Sequence, residues 1–383
     1  MGIFSKAKSV ATVQLMSDTG TRFSAWNGKA YESDIVRSCI RPLAAQASKL
    51  QAKHLRDTVI DGKKVLQTNP EVYMRFLLTE PNAYMGMSKF LEKMAIQYKL
   101  NNNAFALIVR EQGYPVQLLP INCTQAEAMY DSQNRLYIRF TVGNAYYTFP
   151  YTDIIHIRKD FAANEIFGSS NTAVLRPLME TVTTTDQGMV SAIKNSAVIK
   201  WLLKFNTSTR PEDQEKEVKR FAEQFLSVTN GTGVAGIDTK ADAVQVKPND
   251  YVPNGEQMDK ATERLYSLFG VNKAIVQNSA TEDELNAYYE NDVEPFVIAM
   301  QEEFTRKLFT RKERGYGNRI VFDATLLTTA SWKTKLNLVA LVDRGVLSPN
   351  EMRAILNYSP IDGGDEYIRR LDTAPVEVTS EEN

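Results

Sequence analysis

The sequence predicts an α+β chain, and three patterns carry that reading. Apolar–polar runs suited to strands recur between residues 104 and 158, after helical segments, as in an antiparallel sheet packed beside helices. Two helical stretches, 171–197 and 254–270, flank a small α/β segment at 198–253. A long helix opened at Thr281 then leads into a further strand and two short helices. Composition agrees, since 43% hydrophobic and 24% charged residues over 383 positions is a globular balance with chain enough for several domains.

Residues 1–30 are polar and irregular and are expected to form a flexible arm. From Ser33 to about Leu50, the positions Ile35, Cys39, Leu43, Ala47 and Leu50 keep helical spacing, and Pro42 is expected to kink or break the run. LRDTVIDGKKVL reads as a hairpin turning on Asp61-Gly62. Helices over NPEVYMRFLL and MSKFLEKMAIQYKL, parted by Pro81-Asn82, precede the strands AFALIVRE, VQLLPI, RLYIRFTV, AYYTF and DIIHI. Residues 31–170 thus form a first α+β unit.

The helix at 171–197 is unusual. Its middle, TVTTTDQGM, contains Thr184, Thr185 and Gly188, which are weak helix formers, so contacts with other elements or other copies must hold it. In the following module VIKWLLKF is a strand, and RPEDQEKEVKRFAEQFLSV is a helix capped by Thr209 with Pro211 in its first turn. Its apolar stripe is Val218, Phe221, Ala222, Phe225 and Leu226, which leaves Glu212, Glu215, Lys216, Lys219 and Glu223 on a charged outer face. GVAGID and AVQVKP complete the module as strands.

Glu256–Phe269 is amphipathic, with Met258, Ala261, Leu265, Leu268 and Phe269 on one side and Lys260, Glu263, Arg264 and Ser267 on the other. Gly270 ends it. The connection 271–280 carries Asn272, Lys273, Ala274, Ile275, Val276, Gln277, Asn278 and Ser279, a small, nearly neutral, proline-free loop. Thr281-Glu282-Asp283-Glu284 is a capping box. The helix it opens has the stripe Leu285, Tyr289, Val293, Phe296, Met300, Phe304 and Leu308, and would be about 45 Å long at 1.5 Å per residue. Pro295 is expected to kink it. NRIVFDATLL is a strand, helices follow at about 332–343 and 349–356, and 374–383 is an acidic tail.

Several chemistries are disfavoured by what is scarce. A net charge of −1 argues against coating nucleic acid by phosphate neutralisation. Cys39 and Cys123 cannot build a disulfide scaffold, and no apolar run approaches the ~20 residues of a membrane span. The apolar patch of MGIFSKAKSV is too short for a signal peptide, and we expect a soluble chain. His54 and His156 are the only histidines, and His156 in DIIHIR reads as a packed sheet residue. GTGVAG, with Gly231, Gly233 and Gly236, matches GxGxxG, yet it follows a helix and opens a strand, the reverse of a phosphate-binding loop. The basic RKLFTRKERGYGNR and the acids of 282–294 read as solvated helix faces rather than a phosphate or metal site. A nucleotide- or nucleic-acid-processing enzyme using the Gly231–Gly236 loop or the acidic helix is the alternative these signals leave. No cofactor is expected.

Ordered segments nevertheless resemble the portal, or head–tail connector, proteins of long-tailed bacteriophages. FLEKMAIQYKLNNNAFALIVRE with PVQLLPI is similar to the family's helix, "GNAY" turn, strand and "L-x-P" run, with Asn103-Ala104-Phe105 at the turn. IIHIRKDF followed by Gly168-Ser169-Ser170 resembles "hHi+ … G-x-S-P", with Asn171 in place of the proline. LYSLFGVNKAIV resembles "iA-x-x-F-G-V-P", with Asn272 for proline, and Pro295 falls where the long helix carries "I-x-P". LSPNEMRAILNYSPIDGGDEY is close to the "NE-x-R … P-x-x-GGD" ending.

The resemblance implies a non-enzymatic ring, typically a dodecamer, around a channel for double-stranded DNA. The implied parts are a wing over 31–170 and 281–325, stem helices at 171–197 and 254–270, a clip at 198–253, a tunnel loop at 271–280 and a short crown at 326–373. Thr184, Thr185, Gly188, Lys260 and Arg264 would then pack stems between subunits, and residues 272–279 would line the channel. The charged clip face would meet the terminase large subunit and later a head–tail adaptor. Major capsid or scaffolding protein would surround the ring at the capsid vertex.

Overall fold

A strand, β1 (Met16–Ser24), begins the described part of the chain, where a flexible arm over 1–30 is expected; that expectation is corrected for these residues. The computed structural model describes residues 16–25, 29–60, 63–161, 166–196, 200–205, 210–221, 241–246, 255–323, 339–356 and 358–368. Helix α1 (Asp34–Ala47) buries Val36, Cys39, Ile40, Leu43, Ala44 and Ala47. The predicted positions Cys39, Leu43, Ala47 and Leu50 are buried, whereas Ile35 is only half-buried and Val36 takes its place on the inward face. The helix runs through Pro42. Both Pro42 and Ser38, whose carbonyl loses its amide partner, are half-exposed, and water can take up the missing bond.

Strand β2 (Gln51–Ile60) pairs with β3 (Lys63–Thr68) up to Ile60 opposite Lys63, as a hairpin requires, and the predicted turn residues Asp61-Gly62 lie outside the described residues. Helices α2 (Val72–Thr79) and α3 (Met87–Asn101) follow. Next come β4 (Asn103–Glu111), β5 (Tyr114–Ile121), β6 (Gln125–Tyr130), β7 (Leu136–Val142), β8 (Ala145–Pro150) and β9 (Ile154–Arg158). They form two antiparallel sheets, ordered β5-β4-β9 and β1-β6-β7-β8. Strand β6 has no counterpart among the sequence-predicted strands. QAEAMY is poor in β-branched residues, and only the burial of Ala126 and Ala128 on the sheet partners reveals it.

The core lies between these sheets. Phe23 of β1, Phe105 and Leu107 of β4, and Ile138 and Phe140 of β7 are all buried in one cluster. The rings of Phe105 and Phe140 meet edge to face at 5.2 Å.

A long polar helix, α4 (Thr172–Ser196), leads to β10 (Lys200–Phe205), α5 (Pro211–Phe221) and β11 (Ala241–Val246), and α6 (Gly255–Leu268) returns. Strands β10 and β11 pair antiparallel. Residues Leu175–Arg264 form one compact unit, inserted into a second made of Met1–Val174 and Leu265–Asn383.

A short turn, α7 (Lys273–Val276), precedes α8 (Glu282–Tyr288), a π-turn at Tyr289–Val293, and α9 (Glu294–Leu308). The predicted capping box is present, with Glu284 N–H donating to Thr281 Oγ1 and Thr281 N–H to Glu284 Oε2. The predicted single helix to about Arg311 instead ends at Leu308, and a second capping box of Thr310 and Glu313 opens α10 (Arg311–Gly315). Leu285 and Tyr289 are exposed, whereas Tyr288, Val293, Phe296, Met300, Phe304 and Leu308 are buried. The π-turn inserts a residue into the repeat, so one stripe cannot span both halves.

Strand β12 (Asn318–Asp323) pairs with β2 to give the sheet β12-β2-β3. Residues 339–343 are helical, and α11 (Pro349–Ile355) follows. Aromatic contacts bind α9 inward, with Phe304 on Phe322 at 5.0 Å and Phe296 on Tyr98 at 5.0 Å.

Candidate functional site

The C-terminal turn of α3 gathers three asparagines, and each does a different task. Asn102 closes the helix in the left-handed region at φ 54°, where asparagine is tolerated. Its Nδ2 donates toward Asp160 Oδ2, Ser169 O and Asn171 Oδ1 at 2.8–2.9 Å. Asn103 is buried at the head of β4. Its Oδ1 accepts from Gly168 N–H at 2.8 Å and lies 3.0 Å from His156 Nε2, while its Nδ2 donates to Gly168 O. Asn171 Nδ2 reaches back toward Lys99 O at 3.3 Å. The segment entering α4 is therefore rooted on the end of α3.

Gly168 is required there. A Cβ at that position would stand 2.2 Å from Lys159 O and 2.5 Å from Asn102 O, both fixed backbone atoms. His156 stacks on Phe105 at 4.4 Å, and burial, then Arg158, holds its pKa well below 6.5. It is a packed sheet histidine, as its place in DIIHIR suggests.

The same turn holds the exit of α6. Lys99, buried, donates from Nζ to Phe269 O at 2.6 Å and to Asp292 Oδ1 at 2.5 Å. An ammonium thus meets the carbonyl end of a helix, where the dipole favours a cation. Asp292 is delivered by the π-turn, whose wider ring directs its carboxylate inward. Burial pulls the Lys99 pKa down to about 8, against the opposing pull of Asp292. Tyr98 and Tyr288 flank the pair, their phenol pKa values raised by burial and then by the Asp292 charge. Pro295 lies at the start of α9, and the departure from α-geometry is the π-turn just before it.

Sequence reasoning missed this joint. Lys99 sits in a buried stripe where periodicity calls for an apolar residue, and Asp292 among exposed acids, so neither stood out.

The other predicted positions are dispersed. Segment 271–280 is not an open loop. Asn272 Oδ1 caps α7 by accepting from Ile275 N–H at 2.8 Å, and Ile275 and Val271 are buried while α7 lies on α1. Lys273, Gln277, Asn278 and Ser279 are exposed, and Ala274 and Val276 half-buried. Along α4 Leu175, Leu178 and Val182 are buried, Thr184 is exposed, and Thr185 and Gly188 are half-exposed. Thr181 and Thr185 bond back to Pro177 O and Thr181 O at 2.8 Å each, a device that bends a helix. Lys260 and Arg264 are exposed on α6, and Glu212, Glu215, Lys216 and Lys219 on α5, where Lys219 pairs with Glu215. Thr209, Glu223 and the Gly231–Gly236 loop lie outside the described residues.

The acids of 282–294 do not converge. Glu284 serves its capping box and Asp292 faces Lys99. Among the described residues no group of three or more His, Cys, Asp or Glu is placed to hold a metal, and no helix is long and apolar enough to cross a membrane.

Near the chain's end, Asn350 fastens α11 to the turn after it. Its Oδ1 accepts from Ile361 N–H at 2.8 Å, its Nδ2 donates to Asp365, and its N–H donates to Gly364 O. A Cβ on Gly364 would sit 2.4 Å from Asn350 Oδ1. The "NE … GGD" spacing thus has a packing cause.

A family model described as phage portal protein matches residues 34–357. The chain is 21% identical over 407 aligned positions to a probable portal protein of Lactococcus phage p2, covering 100% of this chain and 96% of that one. It is 24% identical over 330 positions to the portal protein of Enterobacteria phage HK97, covering 82% and 76%. Among solved structures it resembles a chain of the neck of a native GTA particle computed with C12 symmetry, with TM-score 0.62, 16% identity, and 90% and 97% coverage. It also resembles an HK97 family phage portal protein from Corynebacterium diphtheriae, with TM-score 0.52, 13% identity, and 81% and 98% coverage. At such identities the structural likeness carries the fold, and the family model carries the membership. Since that match runs in one pass from the start of α1 past the end of α11, the chain belongs to the phage portal protein family.

Proposed function

We propose that copies of this chain form a ring, a dodecamer, at a capsid vertex, and that double-stranded DNA is packaged and later ejected through its channel. The observation that supports this best is the joint on α3. Asn171 just before α4 and Phe269 just after α6 are both held by residues 99–103, so the two chain segments that flank the inserted unit meet at one place in the larger unit. That suits wing (31–170 and 281–325), stem (171–197 and 254–270) and clip (198–253), with a short crown at 326–373. A net charge of −1 suits a conduit, since strong phosphate neutralisation would retain the DNA it must pass. Lys273, exposed in the first position of α7, would repeat once per subunit along the channel and give weak, salt-sensitive contacts. The terminase large subunit, then a head–tail adaptor, would dock on the clip face around Glu215 and Lys219. Capsid or scaffolding protein would meet the wing, in the host cytoplasm during assembly and in the virion afterwards.

The test is mass photometry of the purified protein followed by imaging of the particles. An annular particle of twelve copies is expected. A monomer whose melting temperature rises on adding nucleotide would overturn the reading in favour of an enzyme.

A further inference from the structure

A groove of about 650 Å³ opens on the larger unit, between the β4–β5 turn, the Tyr151–Asp153 turn and the α9–α10 junction. Its charges are unevenly compensated. Arg110 is committed, donating to Asp153 Oδ1 at 3.0 Å and Lys307 O at 2.6 Å, and Arg306 pairs with Glu303. Glu313 is consumed by its capping box with Thr310. Every acid at the groove therefore already has a partner.

Two cations have no carboxylate partner among the described residues, and a third is desolvated. Arg311 and Arg314, one helical turn apart on α10, are exposed and make no ion pair among the described residues. Lys307 is buried, with its Nζ 3.7 Å from the Tyr151 ring centroid and donating to Tyr151 O. Burial pulls its pKa down to about 8 against the opposing pull of Glu303 and Asp153, so a further anion beside it would relieve a charge that these two compensate only in part. Part of the lining is aromatic, with Tyr73 and Tyr114 packed edge to face at 5.4 Å. Tyr114 is 59% exposed.

We propose that this groove docks an acidic segment of a partner protein, with carboxylates on Arg311, Arg314 and Lys307 and an apolar side chain on the Tyr73–Tyr114 ledge. A nucleic-acid ligand fits less well. The recess is concave, Lys307 lies below the surface where a duplex backbone does not reach, and the chain's net charge of −1 gives no long-range attraction for polyphosphate. A short acidic–apolar peptide matches both the cations and the aromatic lining. This site belongs to the larger unit and the clip face to the inserted one, and its occupancy does not depend on whether the ring reading holds.

The test uses the full chain in whatever assembly it adopts, with a fluorescent peptide alternating Glu and Asp with Leu and Phe, read by anisotropy at low and high salt. Saturable, salt-sensitive binding is expected. Arg311→Gln with Arg314→Gln should weaken it by about tenfold or more, and Tyr114→Ala should weaken it as well, while Arg41→Gln on α1 leaves it unchanged. Circular dichroism and particle mass check that each variant keeps its fold and assembly. Absence of binding, equal binding by the arginine variant, or no effect of Tyr114→Ala would overturn the proposal. So would a DNA oligonucleotide or inorganic phosphate displacing the peptide at lower concentration than unlabelled peptide does, since the groove would then be a phosphate site.

Discussion

His156 and Gly168 set the precision of the joint beneath α4. Burial and the neighbouring cations of Arg158, Lys307 and Arg306 hold the folded His156 pKa well below 6.5. A histidine with a lowered folded pKa binds fewer protons when folded than when unfolded. Its stabilisation is complete above about pH 6.5 and is lost as pH falls toward the folded value, by up to about 1.4 kcal/mol per pH unit. His54, also lowered by burial, shares this acid limb. We therefore expect His156→Gln to be less stable than the parent at pH 7.5, by about 1–3 kcal/mol for the lost Asn103 bond, yet to lose less stability between pH 7 and pH 5. Urea denaturation across that range checks it, and parallel pH profiles would refute the assignment. Gly168→Ala tests geometry instead of charge. Two backbone carbonyls block the new methyl, so a loss of at least about 3 kcal/mol is expected, read as a fall in melting temperature. A variant within about 0.5 kcal/mol of the parent would mean that the turn yields.

At the scale of elements, the long helix shows which device changes its course. Pro295 sits in the first turn of α9, where a missing N–H costs little, while the π-turn before it buries Asp292 against Lys99. Pro295→Ala should change stability by no more than about 1 kcal/mol. Asp292→Ala, which leaves a buried ammonium without its carboxylate, should cost about 3–5 kcal/mol. Chemical denaturation of the two variants settles the order, and a larger loss for Pro295→Ala would return the role to proline. The same contrast explains what could be read from residue order. Elements with a local signature were legible, such as the β2–β3 pairing, the Thr281 capping box and the amphipathic α6. Strand β1 and strand β6 were not, because β1 pairs with a strand about a hundred residues away and both are held by Phe23, Ala126 and Ala128 joining the core. The Lys99–Asp292 pair spans 193 positions, and no local pattern marks a lysine that ends another helix. Asn102, Asn103 and Gly168 could be noticed only as motif letters, and their tasks needed the fold.

For the whole molecule, α4 poses the question of what holds a helix so weakly suited to stand alone. Leu175, Leu178 and Val182 are buried near its start, but Thr184 is exposed and Val190 is 50% exposed further along. Threonine and glycine are poor helix formers, and the Thr181 and Thr185 hydroxyls are already spent on the helix's own carbonyls. In a ring, a heterologous contact repeated around the circle would cover this polar stretch with the same stretch's neighbours, and small side chains let helices approach closely. Thr184→Glu with Gly188→Glu separates that role from helix formation. Both changes raise intrinsic helix propensity, by about 1 kcal/mol together, so the helix itself should not weaken. At an interface, however, two carboxylates per copy would be desolvated and would repel their equivalents around the ring. We expect the double variant to keep its circular dichroism spectrum and melt cooperatively while mass photometry finds monomers or small oligomers in place of rings. Rings formed at the parental concentration would place the subunit contact elsewhere than on this face of α4, and loss of helical signal along with the rings would mean that the stretch supports its own unit instead.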